Sequence, residues 1–151
     1  MSAPYTGGCL CGAIRYEFTS EPATVYTCHC TECQKVSASA FGMSVRIKAE
    51  DFKITRGAPK STDTVADSGR VKTGLFCGDC GSRICNQPSG GGPVVIIKTG
   101  TLDDPLQFQP VAHIWTRSAQ PWFPFNDGLA KFEKMPEDAG ELPRLWDARA
   151  G

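Results

Sequence analysis

The chain has 151 residues, of which 40% are hydrophobic and 21% charged, values that are ordinary for a globular domain and exclude general disorder. Sixteen basic and sixteen acidic side chains balance without a long run of either sign, so net charge gives no support for a nucleic-acid or membrane-surface partner. No apolar run approaches the ~20 residues that span a bilayer, and the chain does not open with a basic stretch followed by an apolar one. We therefore expect a single cytoplasmic domain over residues 1–151.

The apolar side chains predict short strands along most of the chain. Residues 14–18 alternate between apolar and charged side chains, which is typical of a half-buried strand. Residues 41–47 alternate in the same way, and a third strand is expected at 52–55. Two strands on either side of residues 67–69 are predicted to form a hairpin. The other predicted strands are residues 83–85, the apolar run 94–97, expected to be a fully buried central strand, and residues 111–116.

One short helix is expected among the strands. Thr31 and Gln34 have the spacing of a capping box, which predicts a helix that begins close to Cys30 and Cys33. Prolines and glycines dominate beyond Trp122, so residues 133–151 are predicted to be an irregular tail. The aromatic residues expected to pack this C-terminal part are Trp122, Phe123, Phe125 and Phe132. The prediction is a mainly β domain.

Eight cysteines are the most informative residues of the chain. An even number suits a disulfide framework in a small secreted domain, but a reducing cytosol works against such bridges. Seven of the eight lie in three groups, CLC at residues 9–11, CHCTEC at 28–33 and CGDC at 77–80. CxC and CxxC are spacings of metal-binding knuckles, so we predict metal ligation rather than disulfides.

The first and third groups together supply four thiolates, which suits a closed structural zinc site. In an extended segment residues i and i+2 point to the same face, so both thiols of a CxC pair can approach one ion. Because the two pairs are distant in sequence, a shared metal would contribute directly to folding. Alternative pairings, such as Cys28 and Cys30 with the CGDC pair, would leave the CxC pair without further cysteines for a metal site. This four-cysteine cluster consists of Cys9, Cys11, Cys77 and Cys80.

The middle group, Cys28, Cys30 and Cys33, forms a three-cysteine cluster. Catalytic zinc commonly has three protein ligands and an open position for water or substrate, so we predict a catalytic zinc here. The alternatives are a second structural site completed by Cys85 or His113, and a site that is often empty. His29, between two predicted ligands, is either a proton shuttle or a packed histidine, while His113 and Cys85 are interpreted as structural.

These motifs resemble one known family. The segments GGCLCGAIRY at 7–16, CHCTECQK at 28–35 and FCGDCGS at 76–82, with His113–Trp115 and Trp122, have the order and approximate spacing of the glutathione-dependent formaldehyde-activating enzymes. The resemblance extends from residue 7 to residue 132. It implies a β-tent fold of twisted antiparallel sheets clasped by zinc. It also implies a structural zinc at the four-cysteine cluster and a second, catalytic zinc at the three-cysteine cluster.

The activity that the resemblance implies is that of a carbon–sulfur lyase, joining glutathione and formaldehyde into S-hydroxymethylglutathione. In this hypothesis a thiol substrate binds at the open position of the second zinc. Three thiolates leave that site negative, so a basic side chain or a helix N-terminus is expected nearby. A different hypothesis is a zinc-stabilised binding module or a metal or redox sensor without catalysis.

Overall fold

The computed structural model describes residues 3–66 and 68–149. The described part is mainly β with two short α-helices, which confirms the predicted fold class. The strands are β1 (Tyr5–Gly8), β2 (Arg15–Phe18), β3 (Thr24–Cys28), β4 (Gly42–Lys48), β5 (Phe52–Arg56), β6 (Lys60–Val65), β7 (Val71–Phe76), β8 (Arg83–Pro88), β9 (Val94–Lys98), β10 (Ala112–Ile114) and β11 (Ala130–Lys131). The helices are α1 (Thr31–Ser37) and α2 (Glu141–Asp147), and 3-10 turns occupy Ala49–Asp51, Thr99–Thr101 and Thr116–Ser118. No helix in the described part is long and apolar enough to cross a bilayer.

The chain divides into two compact units, one made of Met1–Pro22 and Arg46–Gln107 and the other of Ala23–Val45 and Phe108–Gly151. In the first unit, β1, β2 and β5 form an antiparallel sheet in the order β1-β2-β5. Tyr16 and Phe18 of β2 are buried, while Arg15 and Glu17 on the other face are half-buried, so the predicted alternation of this strand is confirmed.

A meander of four antiparallel strands, in the order β9-β8-β7-β6, completes the first unit. The predicted hairpin is present as β6 and β7, although Asp67 of its expected turn lies outside the described residues. The prediction that the apolar run 94–97 is buried on both faces is wrong. Val95 and Ile97 are buried, whereas Val94 and Ile96 are half-buried, because an antiparallel sheet is commonly covered on one face only.

The second unit contains strands β11, β10 and β3 as neighbours, and both pairings are parallel. Every residue of β3 is buried. In the register of β3 with β10, Thr27 lies opposite His113 and Cys28 lies opposite Ile114. The sequence analysis expected antiparallel sheets and did not predict these two parallel pairings.

The C-terminal residues differ from the predicted irregular tail, because α2 occupies Glu141–Asp147. Leu142 and Trp146 of this helix are buried, and Leu142 packs in one core with Tyr26 and Cys28 of β3. A spacing of four residues places Leu142 and Trp146 on one helical face, which explains why the segment folds against the strand. Trp122, expected to pack, is 66% exposed.

Candidate metal centres

The four-cysteine cluster is assembled inside the first unit by two glycine-containing loops. The sulfur atoms of Cys9, Cys11, Cys77 and Cys80 all lie within 4.8 Å of one another. The first loop, between β1 and β2, is closed by a Cys9 N–H to Ile14 carbonyl bond of 3.1 Å. In the second, the Gly81 N–H donates to the Cys77 carbonyl at 2.9 Å. Gly12 and Gly81 have φ angles of 81° in the left-handed region, which favours glycine.

Neighbouring donors give the sulfurs of this cluster unequal acidities. The Ser82 hydroxyl lies 3.3 Å from Cys80 Sγ and, with the Ser82 backbone N–H, lowers the pKa of Cys80 to about 5. Although the Ala13 backbone N–H opposes the shift, the crowding of Cys9 and the other sulfurs raises the pKa of Cys11 to about 12. Four sulfurs at these distances can all ionise only beside a cation, so the cluster fits a metal with thiolate preference.

The three-cysteine cluster is assembled where β3 ends and α1 begins, inside the second unit. Cys28 is the last residue of β3, Cys30 is the N-cap of α1, and Cys33 follows in the first turn. The three sulfur atoms lie within 4.8 Å of one another, and Cys30 Sγ accepts the backbone N–H of Cys33 at 3.3 Å. The predicted helix N-terminus beside the cluster is therefore present.

The predicted capping box at this helix is wrong in its details. The N-cap is Cys30 rather than Thr31, because the Cys30 sulfur takes the capping position. The Gln34 amide does not return to Thr31 but donates to the carbonyls of His29 at 2.9 Å and Ser118 at 3.0 Å. Gln34 thus anchors the backbone between two of the cysteines.

Mutual repulsion between the three sulfurs makes their joint ionisation unfavourable without a cation. The sulfurs of Cys30 and Cys33, with burial as a further cause, raise the pKa of Cys28 far above its usual range. Among the described residues, no other cysteine, histidine, aspartate or glutamate joins this group. The ring nitrogens of His113 are engaged elsewhere, by Thr27 and Asp127, so neither His113 nor Cys85 completes it. The donor set fits a metal with three protein ligands.

Both histidines of the chain lie in a buried polar network beside this cluster. His29 Nε2 lies 3.2 Å from Thr27 Oγ1, which lies 2.6 Å from His113 Nδ1, and His113 Nε2 lies 2.7 Å from Asp127 Oδ2. The rings of Phe123 and Phe125 pack against both histidines. The sequence analysis interpreted His113 as structural and missed Asp127. His113 and Thr27 meet through the register of β3 with β10, and Asp127 is 14 residues from His113 with no motif between them.

Comparison with known proteins supplies a family. The family model described as glutathione-dependent formaldehyde-activating enzyme matches residues 4–118, which include both cysteine clusters. The chain belongs to this family. Members of the glutathione-dependent formaldehyde-activating family are, by that description, enzymes whose chemistry concerns glutathione and formaldehyde.

A solved structure supports the fold of this family member. The crystal structure of a Rhodobacter sphaeroides protein from a structural genomics programme superposes with a TM-score of 0.52 at 18% sequence identity. The similarity covers 84% of the present chain and 98% of the other chain. At this identity the likeness shows the fold alone.

Proposed function

We propose that this family member is a zinc-dependent carbon–sulfur lyase of the S-hydroxymethylglutathione synthase type, acting on glutathione and formaldehyde. The observation that carries the proposal is the three-cysteine cluster itself. Three sulfur donors lie within 4.8 Å of one another, and no fourth ligating side chain joins them among the described residues. A site with three protein ligands leaves a coordination position for a substrate.

The proposal assigns different roles to the two clusters. Cys9, Cys11, Cys77 and Cys80 would hold a structural zinc, since four thiolates complete a tetrahedral site. Cys28, Cys30 and Cys33 would hold the catalytic zinc, which when bound lowers the pKa of a thiol in its vicinity. Two ions per chain follow from these assignments.

The reaction requires one bond to form and one proton to move. The glutathione thiol loses its proton, and the sulfur electron pair forms a bond to the formaldehyde carbon. The carbonyl electron pair moves to the oxygen, which takes up a proton to become the hydroxyl of the adduct. The reverse reaction breaks the carbon–sulfur bond. The chain contributes the N-terminus of α1 at Cys30, whose partial positive charge would offset a small part of the negative charge of three thiolates.

The test is turnover of glutathione and formaldehyde by the zinc-loaded protein, followed above the spontaneous reaction by NMR. We expect the wild type to accelerate adduct formation and Cys33→Ser to lose both the acceleration and one zinc per chain. Cys85→Ala is the matched control, because Cys85 is the cysteine outside both clusters. Two tightly bound zinc ions without turnover would instead indicate a binding or sensing module.

The cytoplasmic location is also part of the proposal. It is supported by the eight cysteines, none of which forms a disulfide in the structure. A reducing compartment keeps such thiols available for metal. Fractionation of cells that produce the protein tests this point, and recovery outside the cytoplasm would contradict it.

A further inference from the structure

Donor and acceptor can be assigned for each hydrogen bond around the two histidines, beginning with Asp127. The Asp127 side chain is 41% exposed, whereas His113 is 2% exposed and His29 is fully buried. Burial opposes ionisation, but hydrogen bonds from His113 and from the Leu129 backbone N–H hold the pKa of the Asp127 carboxyl below its usual range. The group is therefore a carboxylate at neutral pH and can only accept hydrogen bonds.

Each hydrogen bond then determines the next one along the network. Because the carboxylate accepts, His113 Nε2 carries the proton of the 2.7 Å bond. A proton on His113 Nδ1 as well would turn the Thr27 hydroxyl toward His29 Nε2 and leave His29 with a buried, unpaired Nδ1–H. We therefore assign His113 Nδ1 as the acceptor of the Thr27 hydroxyl proton across 2.6 Å. His29 Nε2 lies 3.2 Å from Thr27 Oγ1 and 3.3 Å from His113 Nδ1. Both of these atoms can then only accept, so His29 Nε2 carries the proton.

The last atom of this hydrogen-bond network is an unpaired acceptor on His29. With its proton on Nε2, the ring presents a lone pair on Nδ1, and this atom is buried without a hydrogen-bond partner. The ring is fully buried and Nδ1 has no partner, so a second proton there would add a buried, unpaired charge, which is costly. The opposite tautomer would leave a buried N–H unpaired, which native proteins tolerate less often than an unpaired acceptor.

We propose that Asp127 is a positioning residue that sets the tautomer of His29 through His113 and Thr27. It thereby keeps Nδ1 of His29, the residue between Cys28 and Cys30 in the chain, as a hydrogen-bond acceptor. The aromatic setting supports a role beyond stability. Rings of Phe41, Phe123 and Phe125 lie 5.0–5.1 Å from the His29 ring, and polar groups in such surroundings cost free energy unless all of them are paired.

Backbone strain at the same place gives a second, independent observation. Phe125 has a φ angle of 43°, in the left-handed region that a bulky side chain rarely adopts. Its ring lies 5.1 Å from both histidine rings. Strained residues persist where the surrounding structure requires them and cluster at functional sites.

The direct test is ¹⁵N NMR of the zinc-loaded protein with labelled histidine, since the chain contains only two histidines. We expect each ring to carry its proton on Nε2 at pH 7. A proton on Nδ1 of either ring would overturn the proposal. This readout requires no activity, so it is independent of the proposed function.

Two substitutions at Asp127 test whether this residue determines which nitrogen of each histidine ring carries the proton. In Asp127→Asn the amide can donate to His113 Nε2, which would move the proton of each ring to Nδ1. Asp127→Glu keeps an acceptor and should restore the wild-type tautomers at least in part. The matched control is Asp138→Asn, which removes an exposed carboxylate that pairs with Arg144 in the same unit. Unchanged tautomers in Asp127→Asn would contradict the proposal.

The activity measurement rests on the proposed function and is interpreted separately. Residues that orient groups next to a metal site typically change affinity or activity about 10- to 100-fold. We expect a loss of this size in kcat for Asp127→Asn, with recovery in Asp127→Glu and unchanged zinc content. If the wild type has no turnover while the tautomers respond as expected, the proposed function fails and the tautomer proposal stands. Full turnover in Asp127→Asn with altered tautomers would overturn the positioning role.

Discussion

Cys85 shows at the scale of one residue how burial separates a packed cysteine from a metal ligand. It lies on β8 opposite Leu75 of β7 and Ile97 of β9, and it is fully buried. Burial raises the pKa of this thiol to about 12, although Arg83 and Lys98 act in the opposite direction. Because the thiolate is the reactive form, this cysteine is expected to be chemically inert in the folded protein.

The prediction for Cys85 concerns alkylation by iodoacetamide. At pH 8 the thiolate fraction of a group with a pKa near 12 is about one in ten thousand, compared with roughly a quarter for an ordinary cysteine. We expect peptide mapping by mass spectrometry to find Cys85 unmodified in the native protein and fully modified in guanidinium chloride. Reactivity of the native residue equal to that of a free cysteine would contradict this expectation.

Single residues also show which parts of the candidate sites the sequence could predict. CxC and CxxC spacings constrain the local geometry, so spacing could predict which cysteine groups share a site. The sulfurs do come together as two clusters. His113 and Asp127 could not be found in this way. His113 meets Thr27 through the register of β3 with β10, and Asp127 meets His113 from 14 residues along the chain. Neither contact leaves a local pattern in the sequence.

At the scale of elements, alternation predicted β2 well because one of its faces is buried, whereas β6 is exposed along its whole length. Helix α2 was missed for a physical reason: it is seven residues long, its N-cap is Gly140 without a capping side chain, and Pro143 lies in its first turn. Proline is tolerated in a first turn, but it weakens a sequence-based prediction of helix. Packing against β3, rather than intrinsic propensity, stabilises the helix.

A prediction follows for the contribution of α2 to stability. Leu142 is 2% exposed and packs with Tyr26 and Cys28, so Leu142→Ala should lower the free energy of unfolding by about 2–5 kcal/mol. Leu106, at 83% exposure, provides the matched control, and Leu106→Ala should change stability by less than about 0.5 kcal/mol. Urea unfolding of the zinc-loaded variants measures both values. Equal effects of the two substitutions would show that α2 contributes little to the core.

At the scale of the whole molecule, each cysteine cluster belongs to a different compact unit. The four-cysteine cluster lies within Met1–Pro22 and Arg46–Gln107, and the three-cysteine cluster lies within Ala23–Val45 and Phe108–Gly151. The first cluster connects residues that are 66 positions apart, Cys11 and Cys77, whereas the second lies within six consecutive residues. Closing a long loop restricts the unfolded chain more than closing a short one, so a metal at the first cluster has the larger effect on folding.

Hydrogen exchange of two serine variants can measure this difference between the clusters. In Cys9→Ser, amides of Met1–Pro22 and Arg46–Gln107 should exchange roughly 100-fold faster or more, which corresponds to about 2.7 kcal/mol, because the metal no longer joins the two loops. In Cys33→Ser, protection should stay near the wild-type level in both units while zinc content falls by one ion per chain. The reason is that β3, β10 and α2 retain their apolar contacts without that metal. Loss of protection throughout Ala23–Val45 and Phe108–Gly151 in Cys33→Ser would instead make the three-cysteine cluster structural, and the proposed catalytic role would lose its support.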